Sequence, residues 1–479
     1  MKYTIAIVGG GVTGLTVAYR LMSLQKQNGL PIEIVLIESN DRLGGVIKSE
    51  TIDNFIVEHG PDAFLAEKPE LKNLLTELKL TEDLLSTNKH NRQAFIAQNN
   101  KLVPLPVGFF MIAPTQWLPF ITSPLFSFLG KLRIALEVAI PKKNKTYDES
   151  VADFLRRRFG NELLVRAGQP LVGGIYMADI NLLSKQSTLP QFAELERRFG
   201  SVIKGLVEAG HHGVNTASGA RYNLFGTLQN GTQMLIDQLA AQLTNVKVYL
   251  NTKLLSVKRG SEKNWQLETT GSQFDADAIV FALPSILAAQ TVKELDPVLS
   301  SALAKIESSN SIVVNLLYNK SDIGKPHKGF GFVVPSVESK KIIAAGFISQ
   351  KFSRRASNDY EMIRVFIGGQ LAPNLCNLSD EELVNLAQNE ISPYLEIKSP
   401  AVKTWLSRWP NGLPFYQLEH KQTVKNIENL AKNHLGFFFT GSSYNGLGIP
   451  DCVRDGEKTA ALLATHIQQR KLHCLNQAV

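Results

Sequence analysis

Cysteine is scarce in this chain. Three residues, Cys376, Cys452 and Cys474, are scattered over 479 positions without a CxxC pair or an HxxxH partner, so neither a disulfide framework nor a zinc site is indicated. A reducing cytoplasm suits that usage. No Ser-His-Asp, Cys-His or paired-carboxylate arrangement stands out, and no internal repeat or low-complexity segment interrupts the chain. An excess of one charge sign is also small: 51 Lys and Arg against 43 Asp and Glu leave +8. Nucleic-acid binding would need a concentrated basic stripe as well, whereas this excess suits anionic small molecules or an anionic membrane surface. The apolar share of 44% and charged share of 20% are those of a chain that buries a large core, not of a disordered one. The length allows two or three domains.

Long apolar runs are equally rare. The opening run, Tyr3 to Val8, stops at Gly9-Gly10-Gly11 and is too short for the core of a signal peptide, so it reads as a first strand. From Leu102 to Gly130 there is no charged residue, but Pro104, Pro106, Pro114, Pro119 and Pro124 cut the stretch into pieces too short to cross a bilayer of ~30 Å. Two readings remain open: the lining of a buried apolar pocket, or in addition a contact with a membrane surface flanked by Lys101, Lys131, Arg133, Lys142, Lys143 and Lys145. Arg156, Arg157 and Arg158 point different ways on a helix and read as a solvated face.

What is present is a dinucleotide-binding opening. Gly9, Gly11 and Gly14 form G-x-G-x-x-G directly after a strand and at the start of a helix whose Leu15, Ala18 and Met22 recur at helical spacing. The first glycine permits the tight turn, the second lets main chain approach a pyrophosphate, and the third allows close helix–strand packing. Pro31 ends that helix, and Ile32 to Ile37 read as a second strand leading to Glu38 and Ser39, where a carboxylate 24 positions after Gly14 suits ribose hydroxyls. Arg42 with Gly44 and Gly45 continues as E-x-x-x-R-x-G-G, which resembles the extended fingerprint of two-dinucleotide-binding flavoproteins; an Arg beside a Gly-Gly turn can counter a diphosphate and let main chain pass close to an isoalloxazine, and the resemblance implies FAD.

Further along, Glu149 to Leu164, Gln191 to Val207 and Thr232 to Leu243 read as helices, and His211 to Ala220 as a loop. Strand candidates are Val246 to Leu250, Ala278 to Phe281, Ser311 to Tyr318, Gly331 to Val334, Ile342 to Ile348, Met362 to Ile367 and Phe437 to Thr440, before a closing helix from about Asp455 to His466.

Two segments resemble the flavin amine-oxidase superfamily: Phe274 to Pro284, like the strand and exit turn that close its FAD domain, and Phe439 to Ser443 with Gly446 to Cys452, like its final flavin-contacting turn and helix. Within it, Glu58-His59-Gly60-Pro61-Asp62-Ala63-Phe64-Leu65, Pro170 to Asp179 with its Gly-Ile-Tyr core, and the Gly-Ile-Pro-Asp-Cys turn resemble the oxygen-dependent protoporphyrinogen and coproporphyrinogen III oxidases of haem synthesis, in the family's order over nearly the whole chain.

That resemblance implies an α/β and α+β architecture: a Rossmann-like, GR2-type FAD domain from residues 1–65, 215–290 and 405–479, a mixed-sheet substrate domain from 66–100 and 291–404, and a helical, membrane-facing or pocket-lining segment, 101–214. It implies non-covalent FAD, since Cys452 does not match the superfamily's flavin-linking cysteine. Gly60, Pro61, Asp62 and Ala63 would run along the flavin, Leu254 would lie against the adenine, Trp409 would pack near the ring, and Leu447, Gly448 and Ile449 would bond the pyrimidine side. Lys68 falls where a lysine meets a substrate propionate, or is a solvated helix-start lysine. Ile175 falls on the macrocycle wall, and Phe366 stands where some members carry Tyr. The implied reaction oxidises a porphyrinogen to a porphyrin with dioxygen, giving hydrogen peroxide, in a cytoplasmic enzyme with no metal that hands its product to a haem-pathway enzyme. Other amine oxidases or desaturases of the superfamily, and the non-enzymatic GDP-dissociation inhibitors of related fold, are the alternatives; the latter lack the flavin fingerprint.

Overall fold

The computed structural model describes residues 2–143, 148–211, 225–261 and 263–477. Its first sheet is wholly parallel. Strand β1 (Tyr3–Val8) lies between β2 (Ile32–Ile37) and Ala278–Phe281, with Val246–Tyr249 and Phe437–Phe439 at the edges. The two-residue period of β1 and β2 feeds two cores. Ile5, Ile7, Ile34 and Leu36 pack against α1 (Val12–Asn28) and the closing helix Ile449–Gln477, while Ala6, Val8, Val35 and Ile37 pack against an antiparallel meander over Leu254–Arg259, Trp265–Thr269 and Gln273–Ala276. Each fully buried aliphatic side chain there contributes roughly 1.5–3 kcal/mol. Helix α1 stops at Gly29, whose φ of +59° suits a left-handed cap before Pro31.

The second sheet has seven strands in the order Lys403–Pro414, Ser308–Asn319, Tyr360–Gly368, Ile342–Phe347, Gly331–Val333, Ala94–Gln98, Lys101–Pro104. Its pairs are antiparallel except Gly331–Val333 with Ala94–Gln98. Alternation again divides the faces. Ile363, Val365 and Ile367 pack with Leu383, Ala387 and Ile391 of helix Asp380–Leu395, which a Ser379–Glu382 capping box starts. Met362, Arg364 and Phe366 therefore belong to the opposite face. The expected domain limits at 100/101 and 404/405 fall inside this sheet, the first within a hairpin and the second within its edge strand Lys403–Pro414.

A helical unit surrounds a third core of Phe109, Phe120, Phe126, Phe154, Phe159 and Phe192 with their aliphatic neighbours. The uncharged stretch 102–130 is divided between two environments. Phe109, Ile112, Phe120, Leu125 and Phe126 are core, whereas Leu118 and Phe128 are 75% and 81% exposed. Among the described residues no helix is long and apolar enough to cross a membrane.

Several local expectations need correction. The helix expected over 149–164 ends at Phe159, where Gly160 at φ +91° turns the chain, and a π-helix Leu164–Gly173 containing Pro170 leads to the Gly-Ile-Tyr segment. Only Arg156 of the three arginines is solvated, paired with Asp153. Arg157 meets Glu149 and Glu196, and Arg158, on the buried side with Val151 and Leu155, is wholly buried against Glu137. Helical spacing turns each successive residue ~100°, so three arginines in a row cannot share one face. The closing helix begins at Ile449, six residues before its expected start, with Pro450 in its first turn. The loop expected over 211–220 lies, from 212 on, outside the described residues, as do the proposed limit at 215 and Lys145.

Candidate flavin site

The three glycines of the first turn have separate physical reasons. A Cβ on Gly9, at φ +108°, would lie 2.4 Å from the Ala282 carbonyl oxygen, and one on Gly14 would lie 2.0 Å from that of Gly9. Side chains are excluded at both. A Cβ on Gly11 would meet nothing within 4 Å, so the space above it is open. Helix α1 starts at Gly11 with no side-chain cap and no acidic residue in its first turn, which leaves its leading amides available to an anion. The second glycine turn docks on the first. Gly44 N–H donates to the Gly10 carbonyl at 2.8 Å, and a Cβ on Gly45 would lie 3.4 Å from the Gly11 Cα. An open glycine beside an uncapped helix start fits a dinucleotide diphosphate.

Glu38 is buried at the end of β2. Its carboxylate accepts from Gly10 N–H at 2.7 Å and from the Asn40 backbone and side-chain amides at 2.9 and 2.7 Å, with the Ser39 hydroxyl at 3.2 Å. Leu254, also buried, packs in the same core as Ile37. The Arg42 guanidinium donates to the carbonyls of Leu43, Gly45 and Ile47, so the bonds it makes within the protein shape the Gly-Gly turn.

The segment Glu58 to Asp62 is held to the mixed sheet by side chains from three neighbouring strands. Asn315 donates to the Glu58 carbonyl at 3.1 Å, the Trp409 indole to that of His59 at 2.8 Å, and Arg364 to that of Gly60. Trp409 is thus a clamp on this segment. Asp62 lies 2.7 Å from Lys351 and 3.8 Å from Arg364. Burial acts to raise its pKa, but the two cations outweigh that and hold the carboxyl well below the usual range. Glu58 is buried and shifted upward by that burial, against Arg355, Ser49 and Thr232, which favour the carboxylate.

The closing turn carries Leu447, Gly448 and Ile449 to the start of the last helix, where Cys452 N–H bonds the Gly448 carbonyl at 2.9 Å. Asp455, one turn into that helix, accepts from Thr440 Oγ1, Gly441 N–H and Asn445 Nδ2 at 2.9, 2.8 and 2.8 Å. From the other side, the Tyr416 hydroxyl donates to the Ser442 carbonyl and accepts from Gly446 N–H, each at 2.7 Å.

The expected substrate residues divide into a pair and an outlier. Ile175 is 47% exposed, and the Gly-Ile-Tyr segment abuts the mixed sheet: a Cβ on Gly174 would lie 3.7 Å from Ile343, next to Ala344, which pairs with Phe366. The carbonyl of Met177 accepts from Gln370 N–H at 2.9 Å and from Ser309 at 3.2 Å, fixing the segment to the ends of two strands. Lys68 is an exposed residue preceding helix Pro69–Glu77, and none of the bonds found among the described residues ties it to that wall.

Asn315, Arg364, Tyr416 and Asp455 were missed. Arg364 had a readable signal, as a lone charge in the apolar run Ile363 to Ile367. Tyr416 had none.

A parallel sheet with a glycine-rich diphosphate cradle, a second glycine turn and a mixed sheet clamped to them defines a flavin-binding oxidoreductase. The family pattern of flavin containing amine oxidoreductases matches residues 12–464, and the chain belongs to that family. It is 32% identical to the coproporphyrinogen III oxidase of Bacillus subtilis (strain 168), covering 97% of this chain and 99% of that one. It is 27% identical to protoporphyrinogen oxidase 2 of Arabidopsis thaliana, covering 97% and 94%. The crystal structure of an Exiguobacterium sp. 255-15 protein provisionally named a protoporphyrinogen oxidase superposes with a TM-score of 0.85 at 27% identity, over 98% and 99% of the two chains.

Proposed function

We propose that this protein is an FAD-dependent porphyrinogen oxidase, acting on coproporphyrinogen III or protoporphyrinogen IX, with dioxygen as acceptor and hydrogen peroxide as by-product. The observation that carries the reading is the Glu58–Asp62 segment. Its carbonyls are held by Asn315, Trp409 and Arg364 of the sheet that also bears Phe366, which supports a flavin-lining role for this segment beside a macrocycle wall. Bound non-covalently there, FAD supplies the two-electron oxidant, and no side-chain nucleophile is required. The chain's own part is to hold a broad apolar ring against Ile175 and Phe366 and exclude water, with Lys68 as a solvated cation available to a propionate at the rim. Leu447, Gly448 and Ile449 would offer helix-start amides to the pyrimidine edge, where negative charge develops.

The purified protein should be yellow and release FAD on denaturation. Supplied separately with coproporphyrinogen III and protoporphyrinogen IX, it should raise porphyrin fluorescence above the spontaneous rate with at least one of them. A colourless protein that cannot be reconstituted with FAD, or one that consumes an amine and neither porphyrinogen, defeats the reading.

We also propose a peripheral membrane contact for this cytoplasmic protein. Leu118, Ile121, Phe128, Leu129, Leu132 and Leu136 are each more than half exposed on the helices Trp117–Thr122 and Phe128–Ala135 and the turn after them. A soluble surface seldom leaves so many large apolar groups together. Co-sedimentation with anionic vesicles should fall sharply when Leu118 and Phe128 are replaced by Ser while porphyrin formation in solution is kept; unchanged sedimentation refutes the contact.

A further inference from the structure

The closing turn, from Thr440 to Gly446, has almost no structure of its own. Its shape is imposed by side chains from elsewhere, and two of them, Tyr416 and His420, belong to neither the turn nor the last helix. Tyr416, 3% exposed, lies just beyond the edge strand Lys403–Pro414. Its phenol spans the turn, donating to the carbonyl of Ser442 and accepting from the amide of Gly446. Burial raises its pKa well above the ordinary phenol value, so it stays protonated and able to donate. Gly446 sits at φ +140°, a conformation that favours glycine, and the next three residues are Leu447, Gly448 and Ile449.

On its other faces Tyr416 is gripped by two further rings. His420 stacks on it, with ring centroids 4.1 Å apart and planes at 17°, and bonds the Tyr444 carbonyl at 3.0 Å. Tyr176 meets it with centroids at 5.8 Å and planes at 57°. Tyr176 directly follows Ile175 in the Gly-Ile-Tyr segment. The backbone of Tyr416 is itself fixed by Ser184 N–H, which donates to its carbonyl at 2.8 Å. One side chain therefore touches the macrocycle-wall segment with its ring and the flavin-side turn with its hydroxyl.

We propose that Tyr416 is a positioning residue that sets the closing turn's hydrogen bonds to the flavin pyrimidine edge and, through Tyr176, transmits occupancy of the macrocycle wall to that turn. The inference rests on the proposed flavin and porphyrinogen sites. Removing the hydroxyl leaves a half-buried amide and carbonyl without the partner that spans them, so the turn loses definition where the flavin would be held. Removing the Tyr176 ring leaves the turn intact but severs it from the wall.

The test uses holoprotein reconstituted with FAD carrying carbon-13 at C2, read by isotope-edited infrared spectroscopy with and without coproporphyrin III. In the wild type the C2 carbonyl band should shift when the porphyrin binds. Tyr416→Phe should move that band to higher frequency without porphyrin and weaken FAD binding about tenfold. Tyr176→Leu should leave the porphyrin-free band and FAD affinity as in the wild type but abolish the porphyrin-induced shift. An unchanged band and affinity in Tyr416→Phe overturn the positioning role, and a retained porphyrin shift in Tyr176→Leu overturns the transmission. If Tyr416→Phe fails to fold, the Tyr176→Leu result together with the wild-type shift still decides the transmission. A wild type that binds no FAD defeats the functional reading itself, whereas wild-type binding with indifferent variants defeats this inference alone.

Discussion

The two glycine turns at opposite ends of the chain differ in what holds them. The turn over residues 9–14 is confined mainly by main chain: Gly9 and Gly14 meet backbone atoms of Ala282 and of the turn itself, and Gly10 N–H is tied to Glu38 at the end of the adjoining strand. The turn over 440–446 is held from outside by Asp455, Tyr416 and His420, with Ser285 N–H donating to Ser443 Oγ at 3.0 Å. A site can thus be built at one end by sterics that a motif displays, and at the other by side chains that no motif records.

The largest effect that sharpens this comparison belongs to Gly14→Ala. Its new methyl would lie 2.0 Å from a backbone oxygen that cannot yield cheaply, so stability should fall by more than about 3 kcal/mol in denaturant unfolding of the apoprotein. A smaller loss would mean that the first turn is more pliable than its packing implies. Asp455→Ala comes next. It strips the partner from a hydroxyl, a backbone amide and a side-chain amide, and should cost about 3 kcal/mol. Loss of FAD binding without loss of stability would show instead that the turn needs no support in the apoprotein.

The third prediction concerns pH. Burial pushes His420 down to about 4, although its bond to Tyr444 and the charge of Asp148 act upward. The folded protein therefore holds a neutral imidazole while the unfolded chain takes up a proton near the ordinary 6.5. Stability is fully present above 6.5 and falls as pH drops from there to about 4, by at most ~3 kcal/mol. His420→Gln should flatten that part of the unfolding-versus-pH curve, and an unaltered slope assigns the acid sensitivity elsewhere.

The smallest effect on stability is expected from Gly11→Ala, within about 1 kcal/mol, because its methyl meets nothing in the protein. FAD binding should nevertheless be lost, since the methyl occupies the space a diphosphate needs. Equal damage to stability from Gly11→Ala and Gly14→Ala would remove the distinction between a packing glycine and a ligand-facing one.

These contrasts also mark how far the sequence could be read. The apolar runs Tyr3 to Val8 and Ile32 to Ile37 and the helix that follows the glycine turn depend on local chain geometry, and these elements are in place as expected. The core of the mixed sheet was recognisable as separate β-branched runs. Its strand order was not, because pairings such as that of Ala94–Gln98 with Gly331–Val333 join positions more than two hundred residues apart. Arg158 looked like one of three surface arginines because its partner Glu137 lies outside its own helix. The bonds of Arg42 to the Gly-Gly turn left no sequence signal because their acceptors are backbone carbonyls, which every residue possesses.

By itself, then, the sequence determined the dinucleotide-binding opening, which depends on backbone conformations that only certain residues allow at close spacing, and its motifs resembled those of the family to which the chain belongs. Tertiary structure alone decided which side chains hold the flavin-side segments in place. Asn315, Arg364, Tyr416 and Asp455 act through hydrogen bonds to segments outside their own elements, and such bonds leave no period, spacing or composition behind them.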